Sequence, residues 1–271
     1  PEGVGRRKTA KVFIEAILYR KFSKESIKRK IETNNHPDLL WIEPSYMVQG
    51  KSISQRKAKL ESISIKSPAQ IRLNQIKEII EFLGKKPFES EHSIVIIEDI
   101  EKMNESASNA LLKTLEEPNQ GLFILITQRP EKLLSTIRSR CQIVPFIRLN
   151  DNEVNKIIEK LEVVQEANDI TSEKIQELIT FSDGSPGKYL TNLKYWLDIS
   201  SLLREKLEMK LTNNFEALKL AKEITDELNI EQQLWLINFQ QNKIWEKEKN
   251  LFMVKKLEDL RKQLLTYVQP R

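Results

Sequence analysis

The first ten residues, PEGVGRRKTA, contain a glycine turn followed by a helix-forming stretch, a pattern that can hold phosphate groups. A Walker A loop has the spacing G-x-x-x-x-G-K-[ST]: backbone N–H groups surround the phosphates, the lysine neutralises them, and the hydroxyl binds magnesium. Gly3 and Gly5 would form the loop here. Arg6 and Arg7 then take the lysine and hydroxyl positions. Because a guanidinium cannot replace a magnesium-binding hydroxyl, the pattern predicts either a degenerate nucleotide site or an ordinary turn before a helix.

A second acidic pattern is IVIIED, a β-branched run that ends in Glu98 and Asp99. A Walker B strand ends in an aspartate that holds magnesium, followed by an acid that polarises the attacking water. Glu98 stands at the metal position and Asp99 at the second, so the usual order is swapped. The run predicts the other half of the same degenerate site. A strand that ends in two solvated acids is the alternative.

Three short apolar runs predict the strands that would carry these residues, at Ser93–Asp99, Leu122–Thr127 and Gln142–Leu149. Continuous Ile/Val runs of this length are typical of parallel strands buried on both faces. Between the first two runs, NESASNALLKTLEEP predicts a helix that Asn104 caps and Pro118 ends. Its buried face would consist of four apolar residues, Ala107, Leu111, Leu112 and Leu115. The first half therefore predicts an α/β domain with a parallel sheet and helices on both faces.

The second half of the chain predicts helices alone. NDNEVNKIIEKL and SEKIQELITFS are two short amphipathic segments, and GSPGK follows them. After Gly187 the chain has no glycine and one proline, Pro270, while leucines recur at helical spacing. We expect three domains: an α/β core over 1–149, a small helical lid over 150–192 and a helical collar over 193–271.

Composition excludes some classes of protein. The single cysteine, Cys141, excludes an internal disulfide and any multi-cysteine zinc site, and two histidines are too few to rebuild one. No apolar run approaches the ~20 residues of a membrane span, and no secretory signal is visible, so we expect a cytoplasmic protein without a membrane partner. The chain begins with Pro1 inside a motif, and we expect a preceding strand to be missing. A net charge of +5 permits contact with nucleic acid without requiring it.

Two further segments carry a family resemblance. NALLKTLEEP (109–118) and TIRSRC (136–141) occur in that order, together with HPDLLWIEP (36–44) and the degenerate nucleotide motifs. In these segments the chain strongly resembles the AAA+ clamp-loader family, over nearly its whole length. The resemblance implies a RecA-like α/β domain followed by a helical lid and a helical collar.

The resemblance also implies roles for individual residues. The middle arginine of the Ser-Arg-Cys trio acts in this family as an arginine finger that reaches ATP in a neighbouring subunit, and here it is Arg140, flanked by Ser139 and Cys141. Standing alone, Arg140 would more simply be a surface arginine paired with a local acid. Thr127 matches the sensor position beside the γ-phosphate in active members. We expect Cys141 to be a packed small residue and not a reactive thiol.

The chain departs from the family pattern at two more places. Active members carry a sensor arginine in GS-x-R after the lid helices, whereas GSPGK has Gly187 there and Lys188 one residue later. Many relatives bind zinc through a cysteine cluster before the HPD segment, but RKFSKESIKRKIETNNHPD has no cysteine. We therefore expect no zinc and no cofactor in this chain, with ATP bound by a neighbouring subunit.

Basic and aromatic residues leave alternatives open. KSISQRKAK (51–59), with Lys8, Lys11 and Arg20, could contact DNA phosphates or form a solvated loop. The tryptophans favour core positions or subunit contacts over base stacking. They are Trp41, Trp196, Trp235 and Trp245.

The resemblance implies a subunit that completes the clamp-loading ring of a bacterial replicase without catalysis at its own site. Its partners would be the other ring subunits, the sliding clamp and, through the assembled complex, primed DNA. ATP would stabilise the ring because the finger contributes only across the assembled interface. Two alternatives are a catalytically active ATPase subunit of the same ring and a free-standing basic DNA-binding protein.

Overall fold

The computed structural model describes residues 2–18, 24–48, 50–61, 63, 65, 67–117, 121–160, 170–209 and 213–267. Within them the chain forms two compact units. One unit runs from Gly5 to Phe146. The other runs from Ile147 to the end of the described chain and includes the described residues before Gly5.

The first unit alternates strands and helices, as expected for the α/β domain. Its elements are α1 (Arg6–Leu18), α2 (Lys24–Glu32), β1 (Leu39–Ile42), β2 (Ser45–Val48), β3 (Lys51–Ser54), α3 (Gln55–Leu60), α4 (Leu73–Leu83), β4 (Ser93–Ile97), α5 (Glu105–Glu116), β5 (Gly121–Leu125) and α6 (Ser135–Arg138). Two of the three predicted strands, β4 and β5, are therefore confirmed. So is α5, whose Asn104 cap accepts a hydrogen bond from the Ala107 N–H at 2.9 Å.

The main sheet has three parallel strands in the order β1-β4-β5. The central strand β4 is buried along its whole length, and its side chains alternate between two cores. Ile94 and Ile96 pack with α1 and α2, whereas Val95 and Ile97 pack with α4, α5 and α6. A continuous Ile/Val run is needed because neither face of this strand meets water.

The third predicted strand, Gln142–Leu149, is wrong. The segment has no ladder hydrogen bonds to another strand in the described chain, and Val144 and Ile147 are 69% and 76% exposed. A strand requires a hydrogen-bonded neighbour as well as an apolar composition, and no described strand lies beside this segment.

The sheet instead includes β1, which lies within HPDLLWIEP. The search for apolar runs did not predict this strand. The basic segment, expected as a solvated loop in one alternative, forms β3 and α3, and β3 pairs antiparallel with β2.

A buried carboxylate holds the loop between α4 and β4. Asp38 lies just before β1 and accepts backbone hydrogen bonds from Phe88, Glu89 and Ser90 at 2.6, 2.6 and 2.7 Å. Burial alone would raise the pKa of Asp38, but these three hydrogen bonds lower it below its ordinary value. Asp38 thereby ties this loop to the start of β1.

The second unit has helices and no strand among its described residues, as predicted. Its helices are α7 (Asp151–Lys160), α8 (Ser172–Ser182), α9 (Pro186–Asp198), α10 (Ser201–Glu208), α11 (Asn214–Glu227), α12 (Ile230–Glu248) and α13 (Leu251–Tyr267). All seven begin after a residue whose side chain accepts a hydrogen bond from an otherwise unpaired backbone N–H of the first turn. These residues are Asn150, Thr171, Ser185, Ser200, Asn213, Asn229 and Asn250.

One apolar cluster joins α7–α9 to α10 and α12. Trp196 and Trp235 are buried in it, with Phe239 stacked on Trp235 at 5.4 Å between ring centroids. Lys174 is also buried, 4.5 Å from the Trp196 ring centroid and 2.6 Å from Glu177. Burial acts to raise the pKa of Glu177, but hydrogen bonds from two lysines, Lys174 first, lower it to about 2. This core contains residues on both sides of position 192. The division of the chain into separate domains at 149/150 and 192/193 stays a prediction.

Among the described helices, none combines the length and the apolar character that a membrane crossing requires.

We expect Asp38→Asn to lower the free energy of unfolding by about 2 kcal/mol at pH 7, because an amide has one acceptor oxygen, and its NH2 group cannot accept the N–H groups that the second carboxylate oxygen accepts. The lowered pKa of Asp38 means that its contribution is complete above the unfolded value of about 3.9 and is lost as pH falls through the folded value. Urea unfolding of both chains at pH 7 and at successively lower pH should show the difference shrinking. Asp226→Asn, at an exposed position on α11, is the control; an equal loss in that variant would contradict the assignment.

Candidate nucleotide site and arginine finger

The strands and α1 bring most of the predicted site residues to one edge of the sheet. Glu98 and Asp99 follow β4 directly, and Thr127 lies two residues after β5. Since the two strands are parallel, their carboxyl ends share an edge. Gly3 and Gly5 both have positive φ, at 73° and 88°, which glycine adopts without strain, and α1 begins immediately after Gly5.

An ion pair within the chain occupies the predicted metal position. The Arg7 Nη1 lies 2.6 Å from Glu98 Oε2 and 4.0 Å from Glu43 Oε2. The Arg7 guanidinium also lies over the Trp41 ring, 4.6 Å from its centroid. Arg7 takes the place of the Walker A hydroxyl and Glu98 that of the Walker B aspartate, so both expected magnesium positions are joined by a cation of the chain itself.

Burial affects the protonation of Glu98. It raises the pKa of Glu98 above its ordinary value, and the positive charge of Arg7 acts in the opposite direction. Three buried atoms of the cluster have no hydrogen-bond partner in the described chain: Arg7 Nη2, Glu98 Oε1 and Trp41 Nε1. Glu98 thus depends on Arg7 as its neutralising partner.

The second acid is also paired. Lys102 Nζ lies 2.8 Å from Asp99 Oδ2 and donates to Gln55 Oε1 at 2.9 Å. Asp99 has φ 45° and ψ 48°, the left-handed conformation that a non-glycine residue adopts at a cost. Asp99 is therefore paired with a lysine of the same chain.

Arg6 and Thr127 are joined by a hydrogen bond, and Thr127 also bonds to an acidic side chain. Arg6 Nη1 donates to the Thr127 carbonyl at 2.9 Å, and Thr127 Oγ1 donates to Glu101 Oε2 at 2.7 Å. The sensor-position hydroxyl is therefore engaged by an acid that the sequence analysis had not singled out. The residues present do not fit a magnesium-bound nucleotide, because Arg7 joins the two metal positions and Lys102 pairs with the second acid.

In the helical unit, Gly187 stands at the position expected for the sensor arginine and makes a backbone hydrogen bond. Gly187 N–H donates to the Gly3 carbonyl at 2.9 Å, and Ser185 Oγ donates to the Glu2 carbonyl at 2.7 Å. A Cβ atom on Gly187 would lie 2.8 Å from Gly3 Cα, a distance that forces one of the two segments to shift. The close approach explains why a residue with a side chain does not occupy position 187. Lys188 is exposed.

The predicted finger lies after α6, in the same unit as Arg7, Glu98 and Thr127. Arg140 donates from Nη1 to the Thr136 carbonyl at 2.9 Å, and its Nη2 lies 2.5 Å from Glu116 Oε1. The Arg140 side chain is 35% exposed. Ser139 Oγ donates to the same Thr136 carbonyl at 3.1 Å. Cys141 packs against the apolar core below the sheet, where burial raises the pKa of its thiol.

The sequence analysis missed three charged partners: Lys102, Glu101 and Glu116. Lys102 follows Asp99 at a spacing of three, which is a usable signal for a local ion pair. Glu116 was quoted within LEEP, but its contact with Arg140 joins residues 24 positions apart, and no local pattern reports such a pair.

The basic residues are distributed over several elements. Lys8, Arg56 and Lys57 are exposed, whereas Arg20 lies outside the described residues. Lys11 approaches Arg7 and Arg56, and burial first, then these two charges, lower its pKa below the ordinary value. Of the tryptophans, Trp41 lies under Arg7, two are in the helical core and Trp245 is 42% exposed. DNA contact by the basic residues stays a prediction.

We expect Arg7→Ala to lower the free energy of unfolding by about 2 kcal/mol at pH 8, less than for a fully buried pair because Arg7 keeps partial contact with solvent. Without Arg7 the pKa of Glu98 rises further, so the loss should be smaller at pH 5, where the buried carboxyl takes up a proton. Urea unfolding at both pH values measures this. Arg29→Ala, on the exposed face of α2, is the control. Equal losses for Arg7→Ala at pH 5 and pH 8 would contradict the dependence of Glu98 on Arg7.

Known proteins similar to this chain come from the replicative polymerase of bacteria. The delta′ subunit of DNA polymerase III from Bacillus subtilis (strain 168) is 36% identical over 134 residues, which are 49% of this chain and 34% of that protein. The delta′ subunit from Pseudomonas aeruginosa is 35% identical over 120 residues, 43% of this chain and 34% of that protein. The gamma subunit from Buchnera aphidicola subsp. Schizaphis graminum is 28% identical over 160 residues, 59% and 42% of the two. The matches thus span about a third to two-fifths of these relatives' own lengths.

Two family models match consecutive parts of the chain. The model described as DNA polymerase III, delta subunit, matches residues 1–150. The model described as cyanobacterial DNA polymerase III delta prime, C-terminal domain, matches residues 152–271. The chain therefore belongs to the DNA polymerase III delta subunit family, and within that family to the delta prime type.

Proposed function

We propose that this chain is a clamp-loader subunit of a bacterial DNA polymerase III that does not hydrolyse ATP itself and supplies Arg140 to ATP held by a neighbouring subunit. The observation that carries the proposal is the ion pair between Arg7 and Glu98 at 2.6 Å. It places a fixed cation of the chain where a magnesium ion would have to bind. The family membership and the delta′ relatives support the clamp-loader assignment.

The setting of Arg140 supports the second half of the proposal. Its guanidinium lies at the surface of the α/β unit, on the segment that follows α6, and three of its five N–H groups are unused by the two hydrogen bonds in the described chain. A guanidinium directed at a γ-phosphate stabilises charge spread over the transferring oxygens. Because that contact forms only across an assembled interface, ATP bound next door would favour assembly.

The helical unit has the surface that subunit contacts would require. No residue of α11 is buried, and Phe215 and Leu218 on that helix are 77% and 71% exposed. Leu251 and Phe252 at the start of α13 are exposed as well. Exposed apolar side chains of this size indicate protein contacts. We assign them to the other subunits of a hetero-oligomeric ring, which would act in the cytoplasm on a sliding clamp and primed DNA.

A catalytic subunit of the same ring is the second candidate, since a gamma subunit is among the relatives. The two candidates differ in magnesium-dependent ATP binding by the isolated chain. Titration calorimetry with ATP and magnesium should give no measurable heat of binding if Arg7 joins the metal positions. Binding of Mg²⁺-ATP by the isolated chain, followed by hydrolysis, would overturn the proposal.

We expect Arg140→Ala, in an assembly reconstituted with the remaining clamp-loader subunits, to reduce ATP turnover at the neighbouring site by about 10³-fold or more, the range measured for arginine fingers. The measurement is single-turnover ATP hydrolysis stimulated by clamp and primed DNA. Arg138→Ala is the matched control, because Arg138 is an exposed arginine two residues away on α6. Unchanged turnover with Arg140→Ala would remove the finger mechanism and leave the fold intact.

A further inference from the structure

The last residue of α5 contacts the predicted finger. Glu116 Oε1 lies 2.5 Å from Arg140 Nη2, and the Thr136 carbonyl accepts from Arg140 Nη1 at 2.9 Å. The two contacts reach the guanidinium from different elements, α5 and α6. Two fixed acceptors on two separate nitrogens define both the position and the plane of the guanidinium.

The pair contributes little to folding. Glu116 is 51% exposed and Arg140 is 35% exposed, and solvent-exposed ion pairs of this kind add little stability. An arginine, however, has several rotatable bonds, and holding it in one geometry removes conformational freedom that would otherwise be lost when it binds a phosphate. The effect of Glu116 should therefore be found in catalysis and not in stability.

These contacts orient the Arg140 guanidinium and still leave some of its N–H groups available to a phosphate. Glu116 contacts Arg140 through one oxygen and one nitrogen, so it does not occupy the two parallel N–H groups that a bidentate carboxylate would take. The second contact is to a neutral carbonyl, which attracts the guanidinium less than a phosphate does. Three N–H groups are left for an incoming phosphate oxygen.

We propose that Glu116 is a positioning residue for Arg140: it orients the guanidinium before the neighbouring ATP arrives. The proposal rests on the proposed function of Arg140 as a finger acting in trans. It assigns to the first acid of the LEEP segment a role in the neighbour's reaction, although Glu116 itself touches no substrate. Pre-orientation of a catalytic group lowers the barrier because the freedom is lost before the transition state is reached.

The test uses the reconstituted clamp loader with clamp and primed DNA, and measures kcat and KM for ATP. We expect Glu116→Ala to lower kcat about tenfold, equal to about 1.4 kcal/mol, with little change in KM. Glu116→Gln keeps an oxygen acceptor in the same place and should recover most of the rate. Glu117→Ala is the matched control, since Glu117 is the adjacent exposed acid and its side chain makes no hydrogen bond or ion pair in the described chain.

A double variant distinguishes positioning from a structural role. In the Arg140→Ala background, Glu116→Ala should cause no further loss, because the residue acts through Arg140. Thermal unfolding of each isolated variant should give the same midpoint as the unmodified chain. An additional loss in the double variant, a lowered midpoint, or a rise in kcat with Glu116→Ala would overturn the inference.

The outcomes also separate this inference from the proposed function. If Arg140→Ala abolishes stimulated turnover while Glu116→Ala leaves it unchanged, the inference is wrong and the finger stands. If Arg140→Ala leaves turnover unchanged, the proposed function is wrong, and the inference is overturned with it.

Discussion

Charge neutralisation at the carboxyl edge of the sheet constrains everything this chain can do with a nucleotide. Glu98 directly follows the buried strand β4 and its side chain is mostly withdrawn from solvent, so its charge is stabilised by a cation close by. In a magnesium-dependent ATPase the metal supplies that charge and leaves with the product. Here the positive charge is supplied by Arg7, a residue of the chain itself. Glu98 therefore has its neutralising partner within the chain itself.

The same internal pairing extends to the neighbouring residues. Lys102 neutralises Asp99, and Glu101 accepts the Thr127 hydroxyl, while Arg6 is bonded to the Thr127 carbonyl. A chain that satisfies its own charges at this edge can keep the strand ends rigid and in register. Such rigidity is compatible with the role proposed for Arg140, because the β5–α6 segment that leads to Arg140 begins at that edge.

Local sequence patterns predicted the elements whose signals are local. The apolar run SIVII predicted β4, whose five residues are all buried. Asn104 predicted the start of α5, where its side chain accepts a hydrogen bond from the N–H three residues later. The same reasoning failed for Gln142–Leu149, where composition favours a strand but pairing depends on a distant neighbour. It also missed β1, which is four residues long and becomes a strand by pairing with β4. In the site, residue positions could be predicted from motif spacing, and the spacing of three could have indicated the Asp99–Lys102 pair. The contact of Glu116 with Arg140, 24 positions away, emerged only once helices and strands were placed.

The contact between Gly187 and Gly3 bears on how such a subunit could change over time. A chain that had lost its sensor arginine but kept an open lid could regain the arginine by one substitution. In this chain any side chain at 187 meets the backbone of Gly3 at once, so an arginine there would also require the Gly3 segment to move. Under the proposed function, restoring ATP hydrolysis would therefore require a shift of the Gly3 segment as well as the replacement of Arg7, and one substitution would not achieve both.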